Sequence, residues 1–182
     1  MNDRHVSDEG GRRARFWWGW GLALAMTGLL VLLASLPPFV GPVGQTLLMQ
    51  SFSTVCHQIA ERSFAVDGVS LAVCHRCYGI YWGLPLAVVG FLALTRFDPA
   101  LWKYSRFIIP LALVPTSLDW FLGVLGVWAN TPLSRLGTGA LLGLVAGYYL
   151  ARAMGQVFAS NQSEPPKGTA PGRLVTEEQR VS

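Results

Sequence analysis

A chain of 182 residues with 52% hydrophobic and only 13% charged side chains falls well short of the roughly one-quarter charged share of soluble domains. A mean hydropathy of +0.40 excludes a disordered chain, and the length suits one domain. The net charge of +4 rests on basic residues scattered between long uncharged runs, which argues against a nucleic-acid partner and for a membrane and its anionic lipids.

Residues 1–15 and 160–182 are polar, Pro/Gly/Ser-rich or charged, and read as disordered cytoplasmic tails around a membrane domain at 16–159. Phe16–Leu36 is 21 residues without a charge, enough to cross a hydrocarbon core of about 30 Å as a helix. Arg12, Arg13 and Arg15 precede it as they would a signal peptide. The apolar run exceeds an h-region of about 7–15 residues, however, and Ala34-Ser35-Leu36 is a poor cleavage site, so a retained anchor is expected. The next stretch is also uncharged, but Pro37, Pro38, Gly41, Pro42 and Gly44 oppose a further span. Only Thr46–Val55 is expected to form a short helix, lying at the membrane interface.

Tyr78–Thr95 offers 18 uncharged residues, and Phe107–Trp128 offers 22 in which Asp119 alone can ionise. The last run, Leu136–Ala159, carries only Arg152, near enough to its end to reach an interface. The sequence thus predicts an all-α membrane bundle with spans at about 16–36, 78–95, 107–128 and 136–159. Gly79 and Gly83, and then Gly139, Gly143 and Gly147, recur at i+4, a spacing that lets helix backbones approach closely in lipid. Self-association of the chain is left open.

Four spans place both ends on one side with eleven of the 14 basic residues, leaving Arg62, Arg76 and Arg135 on the other. The positive-inside rule then puts both termini in the cytoplasm of a bacterial or archaeal cell and turns the loop from Pro37 to Cys77 outward.

That loop concentrates the reactive side chains. Cys56, Cys74 and Cys77 are spaced C-x17-C-x2-C, with His57 and His75 beside them. A Cys-x-x-Cys pair can chelate from one turn, and Cys56 with His57 would complete a tetrahedral zinc site. A redox reading competes: Cys74 and Cys77 would cycle between dithiol and disulfide, with a quinone held between aromatic residues such as Tyr81 and Trp82. A single disulfide with one leftover thiol is the third possibility. Near the same surface, Asp119 requires a partner among Arg62, Arg76 and Arg135. The group reads either as an ion pair locking the helices or as an anion or lipid-headgroup site, to which Ser63, Asn130 and Thr138 could add hydrogen bonds.

Cys56-His57-Gln58, Arg62-Ser63-Phe64, Cys74-His75-Arg76-Cys77 and Gly79-Ile80-Tyr81, followed by Leu118-Asp119, Asn130, Arg135 and Thr138-Gly139, resemble the domain of unknown function 2085 family of small membrane proteins. The resemblance runs from about Val55 to Tyr149 and implies a multi-span membrane protein, without naming a reaction. His75 and Tyr78 depart from the family pattern, which has a small residue and Thr at those places, so no essential role is attached to them. A more distant architectural analogy, to four-helix thiol oxidoreductases that reduce a quinone, lacks the second cysteine pair such relays use.

Overall fold

The computed structural model describes residues 3–127 and 130–160. Within them the chain forms α1 (Asp3–Ser35), α2 (Pro42–Ser53), a hairpin of β1 (Ser63–Val66) and β2 (Val69–Cys74), then α3 (His75–Leu94), α4 (Asp98–Lys103), α5 (Ser105–Val124) and α6 (Pro132–Ser160), joined by short 3-10 turns. Among the described residues, four stretches are long and apolar enough to cross a membrane: Arg13–Ser35, His75–Lys103, Ser105–Val124 and Pro132–Phe158. The expected bundle is therefore present, with adjustments at its ends.

α1 already begins at Asp3, through most of the stretch expected to be disordered. No proline interrupts residues 3–15, so an established helix can propagate backwards into them. The tail at 161–182 lies outside the described residues. The third span stops at Val124, four residues before its expected end, and the chain turns at Gly126 with a φ of 69°. α2 starts at Pro42, earlier than Thr46, because a proline at the first helical position donates no hydrogen bond that the helix would need.

The closest packing joins α3 to α6. A Cβ added at Gly139 would fall against the carbonyl oxygen of Arg76, at Gly143 against that of Ile80, and at Gly147 against that of Leu84. From the other side, Gly79 meets the Leu136 carbonyl and Gly83 that of Ala140. Where lipid removes the apolar driving force between helices, such backbone contact is what holds them.

α1 lies against this pair, and its Trp20 indole donates to the carbonyl of Val88 at 2.7 Å. Ala23, Ala87, Val88, Phe91, Tyr148 and Ala151 are buried between the three helices. α5 is attached at fewer points: Thr116 Oγ1 donates to the Thr138 carbonyl at 2.9 Å, while Leu111, Leu113, Leu118, Phe121 and Val124 remain exposed for lipid.

At one end of the bundle, Asp98 accepts from Arg152 Nε and from Tyr148 Oη, each at 2.7 Å, and the Arg152 guanidinium lies over Trp102 at 4.1 Å. The hairpin caps the other end. Asp67 and Gly68 form its turn with φ of 50° and 80°, and Leu71, Ala72 and Val73 of β2 are buried. Ala72 and Val73 pack with Ala34 of α1 and Phe52 of α2.

Candidate functional site

Three different pieces of backbone bring the cysteines together. Cys56 follows α2, Cys74 ends β2, and Cys77 stands in the first turn of α3. Their sulfurs all lie within 4.8 Å of one another, with Cys74 and Cys77 at 3.7 Å, and all three are free thiols. The amide of Cys74 donates to Cys56 Sγ at 3.2 Å. Hydrogen bonding to Cys56, and then to Cys77, holds the Cys74 thiol well below its ordinary pKa because such bonds favour the thiolate.

Cys56 is positioned by Gln58, which the sequence marks only as part of the Cys56-His57-Gln58 motif, with no role attached. Gln58 adopts a φ of 51°, and its Nε2 donates to the carbonyls of Met49 at 2.6 Å and Ala72 at 2.8 Å. One side chain thereby fastens α2 to β2 two residues from Cys56. His57 between them is exposed and stands outside the thiol group. No His, Asp or Glu among the described residues joins the three sulfurs.

His75 is buried, with its ring edge-on to Phe64 at 4.3 Å. Tyr81, one turn beyond Cys77, lies near enough to interact with all three sulfurs, whereas Trp82 is exposed. Tyr78 Oη is 3.1 Å from Ser35 Oγ, which ties the start of α3 to the end of α1.

The second cluster adjoins the first through Arg76, which lies between the two cysteines of the pair. Of the candidate arginines, it is Arg76 that forms an ion pair with Asp119. Asp119 is buried and also accepts from Ser134 Oγ at 3.1 Å and, at the limit of reach, from Asn130 Nδ2 at 3.4 Å. Asn130 further donates to the Asp119 carbonyl at 2.7 Å. Thr138 serves the α5–α6 contact described above, and Ser63 donates to the Ile59 carbonyl at 2.9 Å, so neither adds to the arginine group. Arg62 and Arg135 make no ion pair among the described residues, although Arg62 and Arg76 lie close enough to repel Arg135.

The family described as "Predicted membrane protein (DUF2085)" matches residues 56–149, more than half of the chain. The chain belongs to the DUF2085 family. Among its relatives, an uncharacterized protein of Methanocaldococcus jannaschii is 27% identical over 124 residues, covering 63% of this chain and 79% of its own length. An uncharacterized protein of Methanothermobacter thermautotrophicus is 28% identical over 99 residues, covering 54% and 86%. No solved structure matches. The DUF2085 region opens at Cys56 itself and takes in the hairpin, the Cys74–Cys77 pair, Asp119, Asn130 and Arg135. It contains both clusters complete, while α1 lies ahead of it.

Proposed function

We propose that this DUF2085 protein binds a transition metal, zinc, through Cys56, Cys74 and Cys77 at the outward end of the bundle, with both termini cytoplasmic. One observation carries the reading: three thiols from separate elements converge, with Cys74 and Cys77 3.7 Å apart. Zinc–sulfur bonds of about 2.3 Å set the edge of a tetrahedron at roughly 3.8 Å, so the pair spans one edge without rearrangement. The Cys74 amide already directs a hydrogen bond at a ligand sulfur, the kind of outer contact that orients metal ligands. The outward assignment rests on the distribution of basic residues.

Three protein ligands leave the fourth position to water or an incoming donor. Three thiolates also donate strongly and leave zinc a weak Lewis acid, and Glu61 and Asp67 are both exposed and outside the thiol group. Hydrolysis is therefore disfavoured against a structural or sensing role, in which the ion fastens α2, the hairpin and α3 together.

Elemental analysis of the detergent-purified chain tests this, alongside the variants Cys56→Ser, Cys74→Ser and Cys77→Ser. About one zinc per chain, lost in every variant, supports the site. A metal-free protein with Cys74 and Cys77 oxidised, able to reduce a quinone, overturns it in favour of thiol–disulfide exchange.

A further inference from the structure

Two recesses flank the C-terminal half of α5 and share Arg76 and Trp120 in their walls. One, of about 460 Å³, is polar and bounded by Arg62, Arg76, Arg135 and Asn130. The other, of about 630 Å³, is shallow and mainly apolar, and runs along Thr116, Leu118 and Phe121. We propose that together they bind an anionic membrane lipid, its phosphate held among the three arginines and its chain laid along α5.

The charge balance supports the head site. Asp119 neutralises Arg76 alone, and its two carboxylate oxygens already accept from Arg76, Asn130 and Ser134. Arg62 and Arg135 thus bring two positive charges to one cavity without an acid paired to either among the described residues. Holding guanidinium groups together costs free energy that an anion between them offsets, and their planar forks match the oxygens of a phosphate. Arg76 Nε is buried without a hydrogen-bond partner, and so is the acceptor Asn130 Oδ1.

The adjoining recess selects the kind of anion. A free phosphate would fill only the polar cavity, whereas Leu118 and Phe121, exposed on a helix long and apolar enough to span a membrane, offer apolar surface that suits a hydrocarbon chain. α5 is also the span with the least of its surface buried by protein, so its flank is open to lipid. This assignment does not depend on metal at the cysteines.

The test uses the full chain in detergent, titrated separately with phosphatidylglycerol, phosphatidylcholine and inorganic phosphate. Binding is followed by native mass spectrometry and by thermal shift. The expected result is that phosphatidylglycerol binds at least about tenfold more tightly than phosphatidylcholine, which has the same phosphate but brings a trimethylammonium cation in among three arginines, a like-charge contact large enough to supply the roughly 1.4 kcal/mol of a tenfold ratio. Arg62→Gln and Arg135→Gln should each erase that preference. Neither residue makes an ion pair among the described residues, and Arg106→Gln, in the first turn of α5 and outside the cavity wall, should leave the preference intact. Equal binding of the two lipids, or a preference that survives both arginine substitutions, would overturn the proposal. Stabilisation by inorganic phosphate equal to that by phosphatidylglycerol would also overturn it, in favour of a site for a free anion.

Discussion

Arg76 near the start of α3 and Asp119 near the end of α5 form an ion pair that joins two helices otherwise held by few contacts. Their side chains are only 19% and 8% exposed, so water does little to screen them. Replacing Asp119 by Asn keeps the shape but strands a buried guanidinium, and the loss should be on the order of 3–5 kcal/mol. A clear fall in melting temperature in detergent is the expected outcome. An unchanged melting curve would show that the pair contributes nothing.

Gln58 should matter to the thiols although it touches no sulfur. Gln58→Ala leaves the carbonyls of Met49 and Ala72 without that donor and frees the end of α2 from β2. Under the proposed zinc site, loosening Cys56 in this way should weaken metal affinity, by less than the roughly 10–100-fold that follows loss of a group bonded directly to a ligand. Competition with a chromophoric zinc chelator reads the change directly, and His57→Ala, which alters an exposed side chain outside the thiol group, provides the comparison.

The glycine contacts give a paired prediction within a single turn. Gly139→Ala would drive a methyl group into the Arg76 carbonyl and should destabilise by about 1–3 kcal/mol, the usual cost of overpacking. Gly137→Ala meets nothing within 4 Å, so it should be neutral or gain the few tenths of a kcal/mol, up to about 1, by which alanine favours a helix. Thermal unfolding of the two variants in one detergent separates them. Equal effects would mean that the α3–α6 backbone contact is not tight.

Sidedness can be read at the hairpin rather than at the native cysteines. Cys56 is 4% exposed and would label poorly from either side. Ala65 on β1 is exposed, so Ala65→Cys should react with a membrane-impermeant maleimide in intact cells. Reaction only after permeabilisation would place the hairpin in the cytoplasm.

The four spans could be read in the sequence because a hydrocarbon layer imposes a length that apolar runs must meet. The meeting of Cys56 with Cys74 and Cys77 was foreseen only as chemistry, since nothing in a 17-residue spacing fixes a distance. The hairpin that creates it was signalled but not read: Asp67-Gly68 between Ser63-Phe64-Ala65-Val66 and Val69-Ser70-Leu71 is a strong turn sequence between alternating apolar residues. The choice of Arg76 over Arg62 or Arg135 as the partner of Asp119 was not legible. It depends on how α3 and α5 are rotated about their axes, which sequence spacing does not specify. His57 follows a different logic, because adjacency to a ligand in sequence says nothing about the direction in which a side chain leaves an irregular backbone.

The glycine seam between α3 and α6 has a consequence for biosynthesis. These partners are separated in the chain by α4 and α5, so α3 enters the bilayer before the helix that fits its glycines has been synthesised. Until α6 arrives, Gly79 and Gly83 face lipid or whatever helix happens to be adjacent. The tightest contact in the mature bundle is therefore among the last to form. A chain released before residue 132 would contain α1, α3 and α5 without the helix against which α3 closes.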